Sequence, residues 1–333
     1  MNRPVDRYLI IYPIMAVEYM KGALFGHAFS DSASARLAFL DNLPTKPEID
    51  EAMGLKGGGI WKVSQAQGTD DVELTVELFK ALHEYENVEC SDVDVGVEEY
   101  ISKRYIEWFK SRPFDIGTTI KNAFQGATSA CSMHENAKAM SANSESNGAL
   151  MRCIPLAIYA FNHQLNSKDT LDLVKKDVHL THIKRTVANA VFVYVCILIY
   201  LFKNKGQIKD DFETQLLRLA DTLEDERIEN IVKNYNKPRD YTQNINWDAH
   251  ALTLVLYCLL NKLSFRESVR YTLQVESYTN CSIVGGIMGA RHGLGSVPLV
   301  DRILNCKPNH GREDFQPKIY ADSEYESFFN VKA

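Results

Sequence analysis

Apolar residues recur every three or four positions along most of this 333-residue chain, the spacing that places them on one face of an α-helix. Regular alternation of strands with helices is absent from the pattern, which therefore predicts a compact all-α domain. Helices are expected over residues 14–29, 32–42, 72–86, 98–111, 115–127, 149–163, 184–203, 210–224, 249–261, 265–275 and 279–293. The domain is expected to cover residues 1–305, with the polar stretch 225–247 and a polar C-terminal tail, 306–333, at the surface.

The segment 68–82, "GTDDVELTVELFKAL", places two adjacent carboxylates in front of a helix that is apolar over a wide face. Capping is one explanation, because Thr69 suits the N-cap position and acids in a first turn favour the exposed N–H groups and the helix dipole. A functional role is the other, since Asp70 and Asp71 stand side by side where this helix enters the core. Both explanations stay open on this segment alone.

The most apolar stretch of the chain is "VANAVFVYVCILIYLF", residues 187–202. Its 16 residues are short for a membrane span, and it contains Asn189. A helix at the centre of a large helical core is the better interpretation. No membrane association is expected.

Composition narrows the class of protein further. The chain is 45% hydrophobic with a net charge of −6, values typical of a soluble globular protein, and no basic stripe indicates binding to nucleic acid. Its seven cysteines are scattered, odd in number and without a CxxC pair, which favours free thiols in a reducing compartment. We therefore expect a cytoplasmic protein, and we expect it to be a monomer.

Four other segments carry polar or small residues in unusual groupings: "GALFGHAFSD" (22–31), "YIEWFKSRPFDIG" (105–117), "SNGALMRCIPLAIYA" (146–160) and "ESYTNCSIVGGIMGARHGLGSVP" (276–298). Helix caps and close helix contacts explain each one taken alone. The third segment would open a helix at Ser146–Gly148, where backbone N–H groups can meet an anion or a diphosphate. In "HLTH", His179 and His182 are spaced like two metal ligands on a helix, but histidines at a helix start are the simpler explanation.

Taken together and in this order, the five segments resemble the ADP-ribosylglycohydrolase family over residues 22–298. The matched positions are Gly22, Gly26, Asp31, Thr69, Asp70, Asp71, Tyr105, Trp108, Pro113, Asp115, Ile116, Gly117, Ser146, Asn147, Gly148, Leu150, Met151, Arg152, Pro155, Leu156, Thr181, His182 and the stretch from Glu276 to Ala290. The resemblance implies an orthogonal all-α bundle and a magnesium-dependent hydrolase that removes ADP-ribose from modified protein side chains or from small ADP-ribose conjugates.

The resemblance also implies a site. Asp70 and Asp71 would be catalytic and would bind Mg²⁺, a hard cation that takes hydroxyl and carboxylate oxygens. The full implied metal set is Thr69, Asp70, Asp71, Glu276 and Thr279. The implied substrate-binding set is Ser146, Asn147, Gly148, Met151 and His182.

The chain departs from the family pattern where family members carry acids. Tyr278 stands where the last matched segment of the family, Glu276 to Ala290 here, has a carboxylate, and Ala38 stands where an upstream Glu is usual. Asp31 is present and is a more distant contributor to the implied metal site. Three carboxylates suit one magnesium ion, so one site is expected and a second is doubtful. An ADP-ribose-binding pseudoenzyme and a structural protein of the same fold are the alternatives to an active hydrolase.

Overall fold

The structure, a computed structural model, describes residues 6–88, 95–237, 239–241, 243–244, 246–276, 278 and 280–332, with side chains from Ala16 onward. These residues form fifteen α-helices and no β-strand, which confirms the all-α prediction. The helices are α1 (Asp6–Ala35), α2 (Lys46–Met53), α3 (Asp70–Glu86), α4 (Val97–Lys110), α5 (Thr118–Phe124), α6 (Ala130–Ser141), α7 (Ile154–Asn162), α8 (Ser167–Val178), α9 (Arg185–Lys203), α10 (Phe212–Thr222), α11 (Glu226–Asn234), α12 (Asp248–Leu260), α13 (Phe265–Glu276), α14 (Cys281–His292) and α15 (Val300–Leu304).

Helices α1 and α14 make the most extensive helix–helix contact in the described fold. A Cβ atom built on Gly289 would lie 2.0 Å from the carbonyl oxygen of Gly22, and one built on Gly26 would lie 2.4 Å from that of Gly285. Real Cβ atoms are never so close to a backbone oxygen, so glycine is required at these positions. The close packing predicted from the glycines of α14 is confirmed, and it aligns the polar ends of both helices.

Helix α9 contains the apolar stretch that was predicted to lie in the core. It is long and apolar enough to cross a membrane, but 72% of its most apolar window is buried inside the fold. Most residues from Val187 to Phe202 belong to the main hydrophobic core cluster. Burial of this kind is what a core helix shows, because its apolar side chains are already covered by neighbouring helices.

The expectation of a surface excursion at 225–247 is wrong for its first half, which forms α11. Ile228, Ile231 and Val232 are buried at helical spacing, while the polar residues between them face outward. Asp225 caps this helix by accepting hydrogen bonds from the backbone N–H groups of Arg227 and Ile228 at 3.1 and 3.2 Å. Three apolar residues in a polar stretch are enough to dock a short helix, and the charge of the stretch concealed them.

The C-terminal segment also lies closer to the core than a polar tail would. Arg312, Tyr320, Phe328 and Phe329 are buried, and the Tyr320 ring contacts that of Phe79 in α3 at 5.2 Å between centroids. The expectation that residues 306–333 form a surface excursion is therefore wrong for these side chains. Widely spaced aromatic residues give no periodic signal, although each one buries a large apolar area.

Candidate active site

A cleft of about 300 Å³ opens where the C-terminal end of α1, the N-terminal end of α3 and the loop before α5 meet. Most of the residues predicted from the sequence line it: Thr69, Asp70, Asp71, Ser146, Asn147, Gly148 and Met151. Asp70 and Asp71 thus share a cleft with Asn147, although these segments lie far apart in the sequence. Capping alone would give no reason for that convergence.

Thr69 occupies the N-cap position of α3, but its side chain makes no cap hydrogen bond to the helix. Its hydroxyl instead donates to Oδ1 of Asp31 at 2.8 Å, and its backbone N–H donates to Oδ2 at 2.6 Å. Burial, opposed by these hydrogen bonds, raises the pKa of Asp31 to about 7. Asp31, at the end of α1, is therefore a direct neighbour of the Thr69–Asp71 segment.

Asp70 and Asp115 are neighbouring carboxyl groups of the cleft, and each one shifts the pKa of the other through a side-chain hydrogen bond. Oδ2 of Asp70 also accepts the backbone N–H of Gly117 at 3.3 Å. Burial and then the neighbouring Asp70 raise the pKa of Asp115 to about 9, and burial also raises the pKa of Asp70. Two neighbouring carboxyl groups of this kind share a proton at neutral pH, because two adjacent negative charges repel each other strongly.

Asp71 accepts a hydrogen bond from the hydroxyl of Ser282, in the first turn of α14. Burial, followed by the charges of Asp31 and Asp70, raises the pKa of Asp71 well above its usual range. Four carboxyl groups therefore face one cleft, and none of the described lining residues is Lys, Arg or His. Protons or a bound cation must offset the charge of these groups.

The donor set suits a hard cation in its chemistry. Carboxylate and hydroxyl oxygens are the ligands that Mg²⁺ prefers, and Thr69, Asp70 and Asp71 offer both kinds. In the described part of the chain, no three His, Cys, Asp or Glu side chains already surround one point as a metal group would. The acids are turned toward protein donors, so binding a cation would require them to rotate.

The segment 146–151 forms the wall opposite the acids. The Asn147 side chain donates to Oδ1 of Asn280, just before α14, at 2.7 Å. Its backbone N–H donates to the carbonyl oxygen of Asn246 at 2.7 Å. The segment makes only a short 3-10 turn, Asn147–Ala149, and α7 begins at Ile154. The prediction of a helix that opens at Ser146–Gly148 is wrong, and the Asn147 amide already has a carbonyl partner.

A buried network holds this wall from behind. Arg152, which pairs with Asp177, donates to the carbonyl oxygen of Gly148 at 3.1 Å. His27 lies 2.7 Å from the carbonyl oxygen of Met151, and burial lowers the pKa of His27 to about 4. At neutral pH the His27 ring is uncharged and donates its N–H to that oxygen.

His182 does not line the cleft. It is fully buried, and its Nε2 lies 2.8 Å from the hydroxyl of Ser146, which does line it. Burial lowers the pKa of His182 to about 3, so the ring is neutral. It can orient the Ser146 hydroxyl but cannot provide a positive charge for a diphosphate. The sequence predicts that His182 contacts the substrate directly, and in this geometry His182 does not reach the cleft.

Glu276 is likewise absent from the cleft lining. It is buried at the end of α13, where Oε1 accepts the backbone N–H of Asn280 at 2.7 Å. The carboxylate stabilises the turn between α13 and α14, and it does not line the cleft beside Asp70 and Asp71. Thr279, the remaining predicted ligand, lies outside the described residues. Tyr278 lines the cleft, and its ring contacts that of Phe39 at 5.2 Å.

Sequence reasoning missed the aromatic rim of the cleft, which consists of Phe39, Trp61 and Tyr278, with Phe114 packed against Trp61. The Trp61 ring lies 5.5 Å from that of Phe39 and 6.0 Å from that of Phe114. Phe39 is 59% exposed, an unusual state for so large an apolar ring. These residues come from separate loops, so no periodic pattern could reveal them. Asp115 was matched to a motif without being assigned a role.

Comparisons with known proteins identify the family to which this chain belongs. The family model described as ADP-ribosylglycohydrolase matches residues 16–325. The "Putative ADP-ribosyl glycohydrolase L543" of Acanthamoeba polyphaga mimivirus is 22% identical over 90% of this chain and 96% of its own length. The "ADP-ribosylarginine hydrolase Tri1" of Pseudomonas putida (strain GB-1) is 22% identical over 88% of this chain and 76% of its own length.

A solved structure supports the fold independently. The chain titled "ADP-ribosylglycohydrolase-related protein complex" superposes with a TM-score of 0.68 at 20% identity, covering 92% of this chain and 98% of that one. The all-α bundle is thus the fold of an ADP-ribosylglycohydrolase-related protein. With the family match across nearly its whole length, this chain belongs to the ADP-ribosylglycohydrolase family.

Proposed function

We propose that this protein is a hydrolase that removes ADP-ribose from modified protein side chains or from small ADP-ribose conjugates. The observation that carries the proposal is the cluster of Asp31, Asp70, Asp71 and Asp115 in one cleft, in a chain of this family. Buried carboxyl groups with raised pKa values are typical of sites that exchange protons during glycosidic cleavage.

The chemistry divides between the carboxyl groups. Cleavage at C1″ of the ribose builds positive charge on the sugar and needs a proton on the leaving group. Asp115, whose pKa is raised to about 9, holds a proton at neutral pH and is suited to donate it. A bound cation would favour the charged forms of Asp70 and Asp71, in which they can stabilise the positively charged sugar and take a proton from the attacking water.

We further propose that one Mg²⁺ would be held by Thr69, Asp70 and Asp71, with Asp31 fixing Thr69 through two hydrogen bonds. When bound, the ion supplies positive charge that holds the ribose hydroxyls and makes water more acidic. Glu276 is not included, because it stabilises the turn before α14.

For the scissile linkage we propose arginine. One relative is named an ADP-ribosylarginine hydrolase, and it covers 88% of this chain. The aromatic rim beside the carboxyl groups suits a guanidinium, because the planar cation stacks on rings and pairs with carboxylates. A serine linkage would use neither property.

The second candidate function is binding of ADP-ribose without turnover. Tyr278 favours it, because a neutral phenol lines the cleft where the family pattern has an acid. In this case the 146–151 wall would still bind ADP-ribose, and only hydrolysis would be lost.

One experiment separates these functions. The protein is incubated with ADP-ribosylated arginine and serine peptides, with Mg²⁺ or EDTA, and released ADP-ribose is measured. Release from arginine peptides only with Mg²⁺ supports the hydrolase. If nothing is released, the melting temperature is measured with ADP-ribose, which at one hundred times its Kd adds about 2.7 kcal/mol of stability. A shift that Asn147→Ala reduces supports the binding protein, and no shift supports a structural role.

A further inference from the structure

The C-terminal clamp, residues 309–312, places a cation behind the acidic end of α3. Arg312 is fully buried, with Nε donating to Oε1 of Glu73 at 2.9 Å and Nη2 donating to Oε2. Glu73 also accepts the indole N–H of Trp108 at 2.7 Å. His310 and Gly311 both have a φ of 66°, a left-handed turn that directs Arg312 into the protein. Glu73 lies only two residues after Asp71, so this ion pair lies directly behind the cleft.

The same guanidinium reaches the second acidic segment. Nη1 of Arg312 donates to the hydroxyl of Ser111 at 2.7 Å. Ser111 begins the loop that runs from α4 to Asp115. One rigid, planar group therefore joins the helix that carries Asp70 and Asp71 to the loop that carries Asp115. An arginine has the several donors in fixed directions that this requires, and a lysine does not.

Asn309 holds the other side of the acidic segment. Its backbone N–H donates to Oε1 of Gln67 at 2.8 Å, and the Gln67 amide donates back to its carbonyl oxygen at 3.2 Å. Gln67 lies two residues before Thr69, as Glu73 lies two residues after Asp71. The clamp thus contacts the chain on both sides of residues 69–71.

We propose that the C-terminal clamp positions the reactive carboxyl groups and that Arg312 is its positioning residue. Asp70, Asp71 and Asp115 repel one another, so their spacing depends on the framework behind them. Arg312 connects two parts of that framework and touches neither substrate nor the reacting atoms. The effect on catalysis rests on the proposed function, whereas the effect on the position of residues 69–71 and 115 does not.

The chain provides a matched control on the same helix. Lys332, also in the C-terminal segment, pairs with Glu86 at the far end of α3 at 3.2 Å. Glu86 is thirteen residues after Glu73, or about 20 Å along the helix. Lys332→Met removes an ion pair between the same two elements without affecting the cleft.

The test compares Arg312→Lys, the double variant Glu73→Leu/Arg312→Met and the control Lys332→Met. The double variant replaces both buried partners with apolar groups, so it leaves no unpaired charge and should fold. We expect kcat to fall about 10- to 100-fold in the double variant and about tenfold in Arg312→Lys. The Kd for ADP-ribose measured without Mg²⁺ should stay within twofold, because the 146–151 wall is held by other residues. Folded variants with unchanged kcat would reduce the clamp to a purely structural role and overturn the proposal.

Hydrogen exchange measured by mass spectrometry provides a readout that needs no activity. Peptides covering residues 68–75 and 111–117 should exchange faster in the double variant, and in Lys332→Met only peptides near residue 86 should do so. If the natural protein proves inactive, the proposed function fails, and this measurement still decides the clamp. Unchanged exchange in both cleft peptides would contradict it.

Discussion

Helices α1 and α14 meet in two contrasting ways along their length. In the middle, Gly22 and Gly26 of α1 lie against Gly289 and Gly285 of α14, so closely that a Cβ would overlap a backbone oxygen. At the cleft end, α1 presents Asp31 and α14 presents Ser282, which bonds Asp71. One region gains stability from close packing, and the other holds carboxyl groups that repel one another.

The contrast separates what stabilises the fold from what enables its chemistry. The glycine contact is complete in itself and needs no ligand. All four carboxyl groups of the acid cluster have raised pKa values, because burial makes their charged forms unfavourable. The folded protein is therefore less stable than it would be with uncharged side chains in the cleft. Destabilising groups of this kind are retained at functional sites because replacing them removes the function.

The largest effect should come from Asp71→Asn. The variant keeps an oxygen for the Ser282 hydroxyl but removes a charge, so we expect hydrolysis to fall about a thousandfold, or about 4 kcal/mol. The melting temperature should rise, because one source of repulsion is gone. The surface variant Asp172→Asn should change neither. A melting temperature that falls in Asp71→Asn would contradict the view that this cluster is destabilising.

The glycine contact should respond in the opposite way. Gly289→Ala puts a Cβ 2.0 Å from the carbonyl oxygen of Gly22, so α1 and α14 must separate. We expect a loss of about 3 kcal/mol in the free energy of unfolding, measured with denaturant. The control is Gly295→Ala, whose Cβ would meet only a Glu18 oxygen at 3.7 Å and should cost less than about 0.5 kcal/mol. Equal losses in both variants would show that the helix contact is less close than described.

The pH dependence of stability sharpens the comparison, because most of the response between pH 7 and 8 should come from the cleft. Asp115 has a folded pKa of about 9 and Asp31 one of about 7, both above the unfolded values, so the folded state binds more protons. Stability then falls as pH rises through this range. Without Mg²⁺ we expect a loss of about 1–2 kcal/mol.

Outside the cleft, burial raises the pKa of Asp248 to about 7, so this group adds a smaller part of the loss. The remaining groups contribute little in that window. The pKa values of His27 and His182 are lowered to about 4 and 3 by burial, so their contribution is complete by pH 7. Burial raises the pKa of Cys258 to about 12, and thiols of this kind begin to matter only closer to pH 9. Asp115→Asn should remove most of the slope. A slope that is unchanged in this variant would contradict Asp115 as its main source.

The helical pattern was sufficient to predict the all-α fold and most of its long helices. It missed α2, α6, α8, α11 and α15, each of which buries five residues or fewer, and it divided α1 between residues 29 and 32. The polar end of α1 stays helical because its side chains find partners: Ser32 donates to the carbonyl oxygen of Ala66 at 3.1 Å, and Ser34 to that of Asp31 at 3.0 Å. Periodicity registers apolar faces, and it cannot register polar groups that are buried with a partner.

For the site, local motifs identified the segments but not the direction of each side chain. Asp70, Asp71 and Asn147 share the cleft because whole helices bring them there. Glu276 and His182 belong to matched motifs as well, yet Glu276 is turned toward the backbone of Asn280 and His182 toward the hydroxyl of Ser146, behind the cleft lining. Such choices depend on hydrogen bonds across the fold, which the spacing of residues along the chain does not contain.

The smallest effect expected concerns Tyr278, where the acid cluster meets the aromatic rim. Two divalent cations repel each other and need several bridging carboxylates. With Glu276 engaged at the turn before α14, we expect calorimetric titration to give about one Mg²⁺ per protein. Tyr278→Asp adds an acid at the cleft wall, so it should strengthen Mg²⁺ binding about tenfold, or about 1.4 kcal/mol, and raise hydrolysis. Tyr278→Phe keeps the ring on Phe39 and should leave Mg²⁺ binding unchanged. Two tight sites in the natural protein, or no gain from the added carboxylate, would show that position 278 does not limit metal binding.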